Sequence, residues 1–431
     1  MKQSKKTKLL QEFEELSQKQ SNEYIGLQLF LLVWAQAGKR LKLPKNLDIM
    51  PFLRGMYSTI EELKEVADKL GAHLGIDQAV PFRNLLNLSK RFVDAEAIAH
   101  WRSIINRLWQ RPAPPEDWQQ IYVQVVNQYL THPSATDGWG DPVGFNQLLA
   151  TLAARLSPEL RSLYCPFAYG NGIALALHQQ KPSTSRELWA LDQVTDAHLI
   201  SQCTAFVMGW QNTHLDIGPF LRVKDYALTP VDTVLGILPV RKQHPHSLVS
   251  ELLPYIKQAR MSALVTSAAI LYKGSPRNEY EVANLRIELL KSGMLRAIVA
   301  LPSNQKFYSR IKMVMLVFDT SQRFDEVVVI NAEHINQAKT RYKTLETEDI
   351  EKIVNTIEQR KEVEFFSKVY KNEQLYDAHM GMNIAALVPA KATKEELKSL
   401  EELAQEEQTL KTRLAELRGT LDNNIGDLLD L

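Results

Sequence analysis

A chain of 431 residues is too long for one simple core, and its 45% hydrophobic and 23% charged content is ordinary for a globular protein of two or three domains. Its 51 Lys+Arg and 50 Asp+Glu nearly cancel, which excludes a strong overall field drawing it to nucleic acid or membrane. Two cysteines, Cys165 and Cys203, exclude a disulfide framework and a cysteine-rich metal site, and they fit a reducing, cytoplasmic setting.

The basic N-terminus, Met1 to Lys8, is followed by an acidic helical stretch and not by the apolar core of a secretory signal. The most apolar run, Tyr24 to Ala37, falls short of the roughly 20 residues a membrane span needs and reads as a buried helix. Phe13, Leu16, Tyr24, Leu27, Phe30, Leu31 and Trp34 recur at helical spacing, and residues 1–133 are expected to form an all-helical domain. Arg111-Pro112-Ala113-Pro114-Pro115 is a stiff connector within it.

From Ser134 onward, short β-rich runs alternate with amphipathic stretches. The runs are Leu160 to Tyr164, Leu188 to Leu191, Phe220 to Val223, Val231 to Ile237, Ala263 to Thr266, Leu295 to Leu301, Met313 to Phe318 and Val327 to Ile330. That order predicts a doubly wound α/β domain over 134–344 with a mostly parallel sheet. The short polar connection between the last two runs implies that one of them lies antiparallel.

Residues 345–431 are expected to be a helical extension. Leu400, Leu403, Leu410, Leu414, Leu417 and Leu421 keep a coiled-coil-like step with Glu407 as the polar seam position. Either this helix packs on its own chain or it binds a partner.

Three features of the α/β region suggest chemistry. Pro166-Phe167-Ala168-Tyr169-Gly170-Asn171-Gly172 follows the first strand, and glycines at such a turn let backbone approach a ligand and aim a helix N-terminus at it. Asp192, just past the second strand, could accept both hydroxyls of a ribose, or it could merely cap the next helix. Asp225 stands where an adenine amine could be received.

In order and spacing these elements resemble the modification subunit of type I restriction-modification systems, a family of adenine-N6 DNA methyltransferases. Ala168 to Gly172 stands for the family's Ala-Cys-Gly-Ser-Gly, with Pro166 in place of the acid before it. Trp139-Gly140-Asp141-Pro142 stands for its Phe-Tyr-Thr-Pro, with only the proline agreeing. Ala297 to Pro302, Lys312 to Phe318 and Lys361 to Ser367 are similar to later elements. The resemblance implies a Rossmann-like class I methyltransferase domain, S-adenosylmethionine held by Ala168, Gly170, Gly172, Asp192 and Asp225, and a specificity subunit or companion methyltransferase as partner.

The catalytic Asn-Pro-Pro-Phe of that family reads Ile237-Leu238-Pro239-Val240 here. Ile237 has no acceptor for the amine of a flipped adenine, and Val240 has no ring to stack on it. Loss of a positioned polar group typically lowers turnover about 10²–10³-fold, and a lost stack is worth about 1–3 kcal/mol per base. Leu238 is also expected to fix the backbone less well than proline.

The expectation is a catalytically degenerate relative with a structural or regulatory role in a DNA-modification, restriction or phage-defence assembly. It would reach DNA through that assembly, with weak or lost cofactor binding. The alternatives are a working methyltransferase with an altered site, and a cofactor-free nucleic-acid-binding module. Gln243-His244-Pro245-His246 has no metal-ligand company and is expected to be a solvated loop, and no metal site is expected.

Overall fold

The structure, a computed structural model, describes residues 7–17, 23–76, 80–89, 91–131, 142–218, 231–239, 244–272, 279–302, 311–335, 345–376, 382–391, 405 and 407–418. Helical apolar spacing at the N-terminus produces α1 (Lys8–Ser17), α2 (Ile25–Arg40), α3 (Met50–Leu53), α4 (Ile60–Leu74), α5 (Ala95–Trp109) and α6 (Pro115–Leu130). α2 is buried all round from Ile25 to Ala37, as a helix must be when it has no polar face, and the others wrap it. α4 starts in a capping box between Thr59 and Glu62 and stops at Gly75, which takes the left-handed backbone that ends helices.

This bundle does not have a core of its own. Its apolar cluster continues into Leu175, Leu199, Ile200, Cys203 and Val207 of the α/β region. Tyr122 of the bundle meets the Thr204 hydroxyl at 3.1 Å, and the Arg40 guanidinium donates to the carbonyls of Phe206 and Val207 at 2.5 and 3.2 Å. Met1–Pro389 accordingly forms one compact unit, and Ala390–Leu431 forms another.

The α/β region comprises α7 (Pro142–Leu156), β1 (Ser162–Cys165), α8 (Gly172–Gln180), β2 (Glu187–Asp192), α9 (Thr195–Met208), β3 (Thr213–Ile217) and β4 (Thr233–Ile237). It continues with α10 (Pro245–Gln258), β5 (Met261–Ser267), α11 (Glu279–Ser292), β6 (Leu295–Ala300), β7 (Met313–Asp319), β8 (Glu326–Asn331), α12 (Thr347–Gln359), β9 (Ser367–Lys371), α13 (Asn372–Tyr376) and α14 (Ile384–Leu387). Among the described residues the strands form one sheet in the order β3-β2-β1-β4-β5-β7-β6-β8-β9. Strands β3 to β5 are parallel, β7 runs antiparallel between β5 and β6, and β8 lies parallel to β6. The expected antiparallel member is therefore β7, reached from β6 and inserted beside β5.

Successive residues of each strand face opposite layers. Leu163, Cys165, Leu235 and Ile237 enter one apolar layer with α7, α8 and α12. Tyr164, Val234 and Leu238 enter the other, beneath α10 and α11.

One strand was not expected, and one expectation needs correction. The strand that follows α9 is Thr213–Ile217, whose alternation is weak, and the expected strand Phe220 to Val223 lies outside the described residues. The stretch after 344 is not purely helical, because β9 extends the sheet antiparallel to β8. Ser-Lys-Val-Tyr-Lys has no apolar run to signal a strand, since lysines are what an exposed sheet edge tolerates.

In the second unit, residues 407–418 are helical among those described, with Lys411 and Glu407 paired at 2.8 Å. Leu410, Leu414 and Leu417 are 64%, 54% and 63% exposed, while Leu400, Leu403 and Leu421 lie outside the described residues. No described helix is long and apolar enough to cross a membrane.

Candidate functional site

The strand order reverses between β1 and β4, and in open α/β sheets the crevice at the carboxyl ends of such strands is where ligands bind. The described ones among the residues singled out in the sequence follow or end β1, β2 and β4 on that side.

Beyond β1 the chain runs through Pro166 and Phe167 to Ala168, whose N–H donates to the Leu191 carbonyl at 3.0 Å and ties the loop to the end of β2. Tyr169, Gly170 and Asn171 then take left-handed backbone in succession, with φ of 43°, 74° and 61°. Two of these are not glycine, so the turn is held against the preference of L-residues by what surrounds it. Gly172 opens α8, and a Cβ there would stand 2.2 Å from Nδ2 of Asn146 and 3.0 Å from Leu130. The bare α-carbon is what allows α8 to approach α7 and α6.

Asp192 ends β2 and is 1% exposed. Its Oδ1 accepts the Gly170 N–H at 3.2 Å and its Oδ2 accepts the Ser201 hydroxyl at 2.6 Å. Burial pushes this carboxyl up to about 6, opposed by the Ser201 hydroxyl and the Gly170 and Tyr169 amides. The helix-cap alternative is overturned, since α9 begins after Val194 and receives no side-chain cap. Ser201, nine residues further on and two turns into α9, carried no sequence signal as Asp192's partner.

At the end of β4, Ile237 is 2% exposed in one core layer and Leu238 fully buried in the other. Pro239 is buried as well, and Val240 and Asp225 lie outside the described residues. At Leu238, expected to fix the backbone less well than proline, the N–H donates to Val265 at 2.8 Å and continues the β4–β5 ladder by one bond. A proline could not make that bond, so the neighbouring strand holds the backbone here.

Two residues before Leu238, a Cβ on Gly236 would touch Pro166 at 3.3 Å and Leu264 at 3.4 Å. Pro166 is thus seated directly over β4 in an apolar joint. Tyr169 is half-buried and packs against both core layers, beside Phe167 of one and Ala168 of the other. Its ring stacks near Phe167, at 6.4 Å and 23°.

The remaining features are structural in the described residues. Cys165 and Cys203 are free and buried, and burial pushes both thiols well up. His246 is not solvated as expected: it is 7% exposed and meets Glu281 at 3.1 Å. No cluster of three or more His, Cys, Asp or Glu able to hold a metal occurs among the described residues. Trp139 to Asp141 and the cationic residues Arg222, Lys224, Arg241 and Lys242 lie outside the described residues, and Pro142 begins α7.

Comparison with known proteins agrees with this geometry. Residues 234–396 match the N-6 DNA Methylase family. A stretch of 159 residues, 35% of this chain, is 23% identical to the methylase subunit of the type I restriction enzyme MpnII from Mycoplasma pneumoniae. That match spans 29% of the relative's length.

The fold is similar to a type I restriction-modification methyltransferase subunit from Streptococcus thermophilus, with TM-score 0.62 and 14% identity over 87% of this chain and 98% of that one. It is also similar to a chain solved in a study of complex assembly and conformational transition of the type I system, with TM-score 0.64 and 13% identity over 98% and 99%. The likeness in sequence to N-6 DNA methylases thus covers residues 234–396, from β4 onward, while the likeness in fold to type I restriction-modification subunits extends over most of the chain.

Proposed function

We propose that this chain is a methyltransferase-fold subunit that does not methylate adenine and that serves a structural or regulatory part in a cytoplasmic DNA-modification, restriction or phage-defence assembly. One observation carries the reading. Where adenine-N6 chemistry needs a polar acceptor projecting from the end of β4, Ile237 and Leu238 are buried in the two opposite core layers. An aliphatic side chain cannot accept the exocyclic N–H, and a flipped base left without that partner keeps an unsatisfied donor in a dry site. Cofactor affinity is weak or lost in the same reading.

The retained bulk of the fold supports a role in assembly. The central strands of the sheet are buried by apolar layers on both faces, and the helix at 407–418 leaves Leu410, Leu414 and Leu417 exposed at i, i+4 and i+7. Such a stripe suits docking against an apolar helix of a partner, by analogy a specificity subunit or companion methyltransferase. DNA would then be reached through the complex.

The test is labelled S-adenosylmethionine incubated with the purified wild-type chain and DNA, alone and with the specificity subunit encoded nearest to it. No transfer to adenine in either case is expected. Transfer that disappears on Asp192→Ala would establish an active enzyme with an altered site instead, and salt-sensitive DNA retention by the isolated chain would favour a binding module. Deleting 391–431 is expected to abolish co-purification with the partner. Undiminished complex formation would remove the tail from the proposal.

A further inference from the structure

We infer that the loop after β1 itself occupies the seat where this fold would hold a nucleoside-bearing cofactor, and that Asp192 is the residue that fastens it there. The inference deepens the reading of weak or lost cofactor affinity, and rests on it.

Among the described residues, those at the ends of β1 and β2 do not fit S-adenosylmethionine. A ribose diol needs carboxylate oxygens open to the crevice, whereas Asp192 is 1% exposed with one oxygen on Gly170 and the other on Ser201. To reach it, a diol would have to displace both an amide of the turn and a hydroxyl of α9. The turn cannot simply swing away, because Ala168 is tied to Leu191 at 3.0 Å and Gly172 is wedged against Asn146.

Tyr169 is half-buried beside both core layers, next to Phe167 of one and Ala168 of the other. Pro166 sits against Gly236, where an acid would need water or a polar ligand above it. The left-handed φ of Tyr169, Gly170 and Asn171 turns the backbone inward, so that the Gly170 N–H points at protein. A binding loop has become a joint between β1, β2 and α9.

Titration calorimetry of the full-length chain with S-adenosylmethionine and S-adenosylhomocysteine up to about 1 mM tests the first half, and no saturable heat is expected. Thermal unfolding without ligand tests the second. Asp192→Ala and Ser201→Ala are each expected to lower the midpoint by about 2–4 °C or more, since each removes a bond that holds the loop.

A ribose-ligand role predicts the reverse: saturable binding by the wild type, loss of binding in Asp192→Ala, and an unchanged midpoint in ligand-free protein. Should Asp192→Ala fail to fold, Ser201→Ala and the wild-type titration decide the matter. Saturable wild-type binding, or unaltered midpoints in both variants, overturns the inference. Binding without methyl transfer would defeat this inference alone, whereas transfer to adenine would defeat the proposed function too.

Discussion

Pro166 rests on the bare α-carbon of Gly236, so that the residue standing where related methyltransferases carry an acid is packed against the strand that should carry the catalytic motif. The departure after β1 therefore packs on the residue just before Ile237, where the departure at the end of β4 begins. Gly236→Ala would press a methyl to 3.3 Å from Pro166 and 3.4 Å from Leu264. Overpacking of this kind costs about 1–3 kcal/mol, and urea unfolding of the variant is expected to show a loss in that range. Pro166→Asp is expected to destabilise as well, because it places a carboxylate in a buried apolar joint.

Asp192 makes stability depend on pH in a definite direction. Its carboxyl titrates near 6 in the folded chain and near its ordinary value of 3.8 when unfolded. Between those values the folded state holds a proton that the unfolded state has released. Stability contributed by this group therefore falls as pH rises from about 4 to about 6 and is level above, by at most about 3 kcal/mol. Asp192→Asn cannot ionise. Measured by urea unfolding at pH 4, 5, 6 and 7, the wild type should lose ground against this variant up to pH 6 and then run parallel to it. Parallel curves throughout would contradict the prediction.

Installing Asn and Pro at positions 237 and 238 is expected to harm the fold without creating activity. Ile237→Asn would bury an amide in an apolar layer at a cost of about 1–3 kcal/mol, and Leu238→Pro would delete the bond to Val265. The double variant should unfold at a lower urea midpoint than wild type and transfer no methyl group to DNA in a scintillation assay. A gain of adenine methylation would show that the crevice is still competent.

Gly172 and Asn146 should be energetically coupled, with 2.2 Å between a substituted Cβ and the amide nitrogen. Gly172→Ala is expected to cost about 1–3 kcal/mol. In an Asn146→Ala background most of that cost should vanish, because the clashing group is gone. A double-mutant cycle on unfolding free energies measures it, and strict additivity would mean that the helices simply move apart.

Much of the architecture was legible because it rests on local pattern. Val231 to Ile237, Ala263 to Thr266 and Met313 to Phe318 are apolar runs that could only be buried strands, and each became one. The edge strand Ser367–Lys371 was not legible, since its pairing to β8 is made by backbone that any sequence possesses. Likewise nothing in the N-terminal helices announced that their core would continue into α9, because a buried face does not say what covers it.

The site divides along the same line. From the residues alone it followed that Ile237 offers no acceptor and that Pro166 is no acid, since these are matters of functional-group chemistry and hold in any conformation. Whether Asp192 faces a ligand or the interior was open, because a carboxylate at a strand end serves either purpose. What tertiary structure decided is that Ser201 and the Gly170 amide stand at its two oxygens. That decision belongs to packing: partners 9 and 22 residues away in the chain become neighbours only when α9 and the β1 loop close on the end of β2.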